Sequence, residues 1–181
     1  LQAKLAETVP PEETSIMREL AAGYLSIGFG DEALALLTNY QAQNSLLADI
    51  ARAISERQFQ QNSQLMGARQ CGGAHALWQA VSSPPAEAVA LYRQSANAIE
   101  MLPRRLKTMI ATRLALKMVN ASAWIEARSL FDIARAELTE LDPDLEYVRV
   151  RLEGQMGDNP SSHEALLEIA AQRSNASYDA L

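Results

Sequence analysis

The sequence has one cysteine, few aromatic residues and no long apolar run. Because Cys71 has no second cysteine to pair with, neither an intramolecular disulfide nor a cysteine-based zinc site can form. No apolar run approaches the roughly 20 residues that a membrane-spanning helix needs. The chain begins without Met and shows no signal-peptide pattern, so we expect a fragment or processed form of a longer protein, cytoplasmic or periplasmic.

Positive charge is also scarce. The net charge of −6 supplies no general positive field for phosphates, so nucleic acid is not an expected partner. Aromatic residues make up 6%, and a β-sandwich would need far more Val, Ile, Thr and Tyr. Ala, by contrast, is roughly one residue in six, which favours helices. The few Lys beside many Arg are typical of GC-rich bacterial genomes. The composition predicts a soluble all-α domain with no cofactor.

Prolines divide the chain, because a proline inside a helix removes a hydrogen bond and costs about 3 kcal/mol. Ser83-Pro84 and Asp142-Pro143 each place a capping side chain before a proline at a predicted first helical position. Ser161 and Glu164 match a capping box. Apolar spacing predicts helices over 12–27, 32–40, 45–57, 86–102, 104–119, 123–141, 145–155 and 164–172, and residues 59–83 predict short helices and a loop.

A small residue followed four positions later by a bulky apolar residue recurs along the chain. The small residue lets two helices approach, and the bulky one fills the adjacent groove. The pairs are Ala33 and Leu37, Ala88 and Tyr92, Ala127 and Phe131, and Ala165 and Ile169. Ala88, Ala127 and Ala165 are spaced by 39 and 38 residues, but Ala33 and Ala88 by 55. Such periods indicate stacked helical units with an insertion or a degenerate repeat after the first.

Two segments resemble tetratricopeptide repeats. The first is 20–37, "LAAGYLSIGFGDEALALL", which matches the family's spacing at Leu20, Ala21, Tyr24, Gly28, Ala33 and Leu37. The second is 114–134, which matches it at Leu114, Ala115, Met118, Ser122, Trp124, Ala127, Phe131 and Ala134. Ser122 stands where Gly is usual. Pro143 lies about one turn later than the family's proline, so we expect an extra helical turn before it.

The resemblance implies one domain over 1–181, a right-handed superhelix of antiparallel helix pairs (a TPR-like α-α solenoid). Its clearest units are 14–43 and 108–141, and 44–85 is degenerate or inserted. First helices of such pairs line a concave groove, and its positions here are Ser15, Arg18, Ala22, Leu25, Met109, Thr112, Leu116 and Val119, with Arg113 beside them. Ala22 and Leu116 replace the Asn of the family's carboxylate clamp, so we expect a mostly apolar groove with isolated arginines.

These observations favour a non-enzymatic scaffold that binds a peptide or a partner subunit. The first alternative is a structural array that self-associates or positions a neighbouring domain. The remote alternative is an α-helical enzyme or small-molecule binder, which would need a deep pocket converging on Cys71, His75 and Trp78. Nothing in the sequence supplies Cys71 with the base or ligand set that catalysis or metal binding requires.

Two further patterns have a functional and a structural interpretation. Five basic residues gather in one predicted helix, at Arg104, Arg105, Lys107, Arg113 and Lys117. They could bind an acidic peptide or phosphate, but their scatter among apolar residues favours a solvated face. Trp124 falls on a repeat packing position, so packing between helices is the favoured interpretation. Trp78 has no such assignment.

Overall fold

The computed structural model describes residues 12–40, 42, 45–55, 63–67, 73–138 and 142–155. These residues are helical and contain no strand, which confirms the all-α class. The elements are α1 (Glu12–Ser26), α2 (Gly30–Asn39), α3 (Leu46–Ile54), α4 (Gln64–Gly67), α5 (Ala74–Ser82), α6 (Pro85–Ser95), a 3-10 helix (Ala96–Met101), α7 (Arg104–Asn120), α8 (Trp124–Arg135) and α9 (Pro143–Gly154). Among them, no helix has both the length and the apolar character needed to span a bilayer.

Contacts within the chain divide it into two compact units. The first comprises Leu1–Ser83 and Leu91–Leu106, and the second comprises Pro84–Ala90 and Lys107–Leu181. In the first unit, α1, α2 and α3 pack against one another, α3 also contacts α4 and α5, and α5 contacts the 3-10 helix. In the second unit, α8 packs against α9. The superhelical arrangement stays a prediction.

The core of the first unit forms where three helices meet. Met17 and Ala21, one turn apart on α1, join Leu37 of α2 and Ala48 of α3 in one buried cluster. Gly30, the first residue of α2, is also buried, and a Cβ added to it would lie 2.7 Å from the Ala51 carbonyl oxygen. The missing side chain therefore lets the start of α2 approach the end of α3.

The predicted helix 86–102 is wrong in its extent. The helix ends at Ser95, whose Oγ donates to the Leu91 carbonyl at 2.9 Å, and the chain tightens into the 3-10 helix. Its start is also one residue later than the Ser83-Pro84 signal predicts, since Ala88 N donates to the Pro84 carbonyl at 3.0 Å and Pro85 is the first helical residue. The reason is Pro85 itself, because a proline disfavours helical backbone at the residue before it.

The predicted helix 123–141 is also too long. It ends at Arg135, and Glu137 N and Leu138 N donate to the carbonyls of Ala134 and Arg135, three residues back. These bonds form turns, so the expected extra turn of helix before Pro143 is not formed at residues 136–138. The predicted cap of α9 is confirmed, with Asp142 Oδ1 accepting from Leu145 N at 2.8 Å and Pro143 at the first helical position.

The remaining predicted helices end within a few residues of the observed bounds, and α4 and α5 are the short helices predicted in 59–83. Several predictions lie outside the described residues: the helix 164–172, the pair Ala165 and Ile169, the capping box of Ser161 and Glu164, and any role of Cys71.

Candidate functional site

Two helical hairpins, α1–α2 and α7–α8, are closed by the same three-residue turn. In the first turn, Gly28 N and Phe29 N donate to the carbonyls of Leu25 and Tyr24, both at 3.0 Å. In the second turn, Ser122 N and Ala123 N donate to Val119 and Met118 at 3.0 and 2.8 Å. The middle residue has a positive φ in both, 88° at Gly28 and 56° at Ser122. The two segments that resemble each other in sequence therefore share one local backbone structure.

The backbone just before the second helix of each hairpin also agrees. Phe29 has φ and ψ of −87° and 73°, and Ala123 has −89° and 71°. Neither residue caps its helix with a side chain. The small and bulky residues that follow, Ala33 with Leu37 and Ala127 with Phe131, are all buried, as is the pair Ala88 and Tyr92 on α6. The predicted inward packing of these three pairs is confirmed.

The groove positions on α1 lie mostly on the surface. Ser15, Arg18 and Ala22 follow one another at helical spacings of three and four, and all three are exposed. Leu25, the last position of the set, is buried instead. The exposed side of α1 thus presents one guanidinium between two small side chains.

The corresponding positions on α7 are mostly covered. Thr112 and Val119 are buried, and Met109, Arg113 and Leu116 are half-buried. Among the residues that the structure describes, Thr112 Oγ1 has no hydrogen-bond partner. Thr112 stands where the first hairpin has the exposed Arg18. The two hairpins therefore share a turn and a buried seam, the small and bulky pair Ala33 and Leu37 or Ala127 and Phe131, but their first helices expose different residues.

The basic residues of α7 are confirmed to lie on one helix, which carries no acidic residue. Arg104 and Arg105, at its start, are exposed, whereas Lys107, Arg113 and Lys117 are half-buried. The pattern matches long side chains whose stems cover apolar neighbours.

The remaining candidates lie on two helices, α5 and α8. Trp78 is buried within α5, His75 is half-buried in the first turn of the same helix, and Trp124 is half-buried at the start of α8. Cys71 lies outside the described residues. Within the described ranges, no group of three His, Cys, Asp or Glu side chains could hold a metal ion.

The structure also reveals a buried polar network in the first unit that the sequence prediction missed. Asp49 and Arg52, one turn apart on α3, are 1% and 5% exposed, and Arg52 Nη1 donates to Asp49 Oδ1 at 3.1 Å. Asp49 Oδ2 accepts from Ser63 Oγ at 2.9 Å and from the backbone amides of Gln64 and Leu65 at 2.7 and 3.3 Å. The only sequence signal is an acidic and a basic residue three apart on an otherwise apolar helix, because their partners lie 14 to 16 residues away.

The described residues thus contain an exposed side of α1 that carries Arg18, and a buried polar network around Asp49. A guanidinium is suited to binding carboxylate or phosphate groups through paired hydrogen bonds. Comparison of the chain with protein-family models, with curated proteins and with solved structures finds no match.

Proposed function

We propose that this chain is a non-enzymatic module that binds a peptide or a partner subunit along the exposed side of α1. The observation that carries the proposal is the repeated hairpin, in which one turn and one buried seam recur while Ser15, Arg18 and Ala22 are left exposed on the first helix. Stacked arrays of helix pairs bind partners on extended concave surfaces, and the proposal places these three residues on such a surface.

The chemistry of this side favours an acidic segment as the partner. The guanidinium of Arg18 can form two parallel hydrogen bonds with one carboxylate. Ser15 and Ala22 flank it with small side chains, so a partner backbone can approach the helix closely. Glu19 is exposed nearby and disfavours acidic groups placed on its own side of α1. We therefore expect a segment with an Asp or Glu positioned opposite Arg18.

The second hairpin contributes less to this surface in the proposal. Met109, Arg113 and Leu116 are half-buried, so each offers only part of its side chain. Substitutions there alter packing as well as any binding, which makes α1 the cleaner place to test the function.

The test compares the native chain with Arg18→Glu and with a control, Arg128→Glu, at an exposed position of α8. A partner is first captured with the native chain, and its affinity for each purified form is then measured by calorimetry. We expect the charge reversal at Arg18 to weaken binding by at least about tenfold, which corresponds to about 1.4 kcal/mol. Equal affinities of all three forms would exclude the α1 side as the binding surface.

Self-association is a second candidate, favoured by two exposed apolar side chains. Met101, at the end of the 3-10 helix, is 85% exposed, and Ile125, in the first turn of α8, is 84% exposed. If either side chain enters a contact between copies, sedimentation velocity detects an oligomer that Met101→Ser or Ile125→Ser dissociates. A monomer at about 100 μM, far above the micromolar Kd of a weak specific complex, would argue against this candidate.

A further inference from the structure

The short helix α4 is held in the first unit by side chains from two other helices. Asp49 of α3 accepts hydrogen bonds from Ser63 Oγ and from the backbone amides of Gln64 and Leu65, at 2.9, 2.7 and 3.3 Å. Gln79 of α5 donates through Nε2 to the Leu65 carbonyl. Backbone donors and a backbone acceptor of one turn are therefore all bound by side chains that lie 14 to 16 residues away.

This arrangement differs from an ordinary helix cap. An N-cap side chain normally belongs to the residue that begins the helix and bonds to an amide two or three residues on, as Asp142 does in α9. At α4, Ser63 stands just before the helix, yet its hydroxyl donates to Asp49. The orphan amides of the turn bond instead to a carboxylate on another helix, much as the amides of a bound peptide bond to the side chains of its receptor.

An apolar side chain completes the pattern. Leu65 is fully buried, and α3, α4 and α5 contact one another pairwise. A buried apolar anchor, combined with hydrogen bonds to the backbone around it, is the usual mode of short-peptide recognition.

The two side chains that hold α4 lie on helices that also contact each other. Asp49 Oδ1 is bonded to Arg52 on the same helix, which neutralises the buried carboxylate and fixes its orientation. Gln79 lies on α5, and α5 contacts α3 directly. Asp49 and Gln79, which hold the turn, therefore belong to two helices that also pack against each other.

We propose that α3 and α5 form a recognition site for a short leucine-bearing turn, and that residues 63–67 occupy this site as an internal ligand. The inference rests on the proposed binding function but concerns a different surface, since Asp49 and Gln79 are buried and Arg18 is exposed. A partner segment that offers two consecutive free amides, the second of them that of a leucine, competes for Asp49 and Gln79. Because residues 63–67 belong to the same chain as the site, we take their effective concentration to be in the millimolar range, so binding in trans is weak until α4 is released.

Amide hydrogen exchange of the full chain, followed by NMR, tests whether α4 opens as a separate element. We expect Asp49→Asn to speed exchange at Gln64 and Leu65 by at least about tenfold, because it removes a charge-assisted acceptor. Exchange in α1 and α2 should stay unchanged, and the control Asp132→Asn, at an exposed position of α8, should alter neither region. Equal acceleration throughout the first unit would mean that Asp49 supports the whole core, and would overturn the proposal.

A peptide titration then tests the vacated site. Leu65→Ser removes the anchor but keeps Asp49 and Gln79, and a capped peptide with the sequence SQLMG, that of residues 63–67, is added up to about 5 mM, the scale of the effective concentration. We expect saturating shifts at the amides of Asp49 and Gln79 that disappear in the Asp49→Asn, Leu65→Ser double variant and with the peptide SQEMG.

Absence of such shifts in a folded Leu65→Ser chain would overturn the proposal. If Leu65→Ser does not fold, amide exchange in the native chain decides between the alternatives. A lower free energy of opening at Gln64 and Leu65 than in α1 supports a detachable turn, and identical free energies of opening overturn the proposal. Arg18→Glu should leave these shifts unchanged, so failure here is distinguishable from failure of the proposed α1 surface.

Discussion

In the first hairpin, Gly28 holds the positive φ of the turn and Gly30 begins α2, whereas Ser122 and Trp124 occupy the same places in the second hairpin. The bonds from the middle and last turn residues recur in both hairpins despite these differences, whereas Ile27 N bonds three residues back and Ala121 N four residues back. The turn is therefore set by three-residue spacing and backbone bonding, and a non-glycine residue can adopt it at a cost of about 1–2 kcal/mol.

The second difference between the hairpins lies in what packs near the start of the second helix. At Gly30 a third helix comes so close that a Cβ would clash with the Ala51 carbonyl and with Ser55 Oγ. At Trp124 the large side chain is half-buried, and α8 packs against α9 further along the chain. The same hairpin structure therefore occurs in two packing environments, with glycine where another helix lies close and tryptophan where a large side chain fits.

The largest expected effect on stability comes from truncating a bulky buried side chain of either hairpin. Phe131→Ala should lower the free energy of unfolding of the second unit by about 3–5 kcal/mol, and Leu37→Ala that of the first by about 2–5 kcal/mol, because each leaves a cavity. Urea unfolding followed by tryptophan fluorescence, in backgrounds that keep only Trp78 in the first unit or only Trp124 in the second, assigns each loss to its unit. Ile125→Ala, at an exposed position, is the control, and a loss below about 1 kcal/mol for Phe131→Ala would show that the seam is not tightly packed.

A smaller effect, with a sign change, is expected for two glycines of the first hairpin. Gly30→Ala should destabilise by about 1–3 kcal/mol, because its Cβ has no room beside α3. Gly23→Ala, within α1 and with no atom within 4 Å of the added Cβ, should instead stabilise by about 0.5–1 kcal/mol. Urea unfolding of both variants checks the pair, and a stabilising Gly30→Ala would contradict the close approach of α2 and α3.

The smallest effects come from exchanging the turn residues. Gly28→Ser should destabilise the first hairpin by about 1 kcal/mol, because a side chain is strained at positive φ. Ser122→Gly should stabilise the second by less than that, because glycine also adds freedom to the unfolded chain. Thermal unfolding measures both, and changes of the same sign in the two variants would mean that the turns differ in conformation.

Sequence reasoning identified most of the helices, the two related hairpins and the buried pairs of small and bulky residues, since apolar spacing along a helix and the residues that interrupt it can be read locally. It overextended the helices that end at Ser95 and Arg135. The residues that follow still favour helix in the sequence pattern, but their amides bond to carbonyls three residues back, as Leu102 N and Leu138 N do. On the predicted groove side it did not separate the exposed Arg18 from the buried Thr112, which share one register position. The binding of any partner there stays a prediction.

The sequence by itself determined the all-α class and the inward pairs such as Ala127 and Phe131, because periodic apolar spacing acts locally along each helix. Only the tertiary structure decided that Gly30 lies against α3 and that Asp49 holds α4. These contacts join residues 14 or more positions apart, and the folded chain forms them because a buried carboxylate and unpaired amides are costly unless they meet one another.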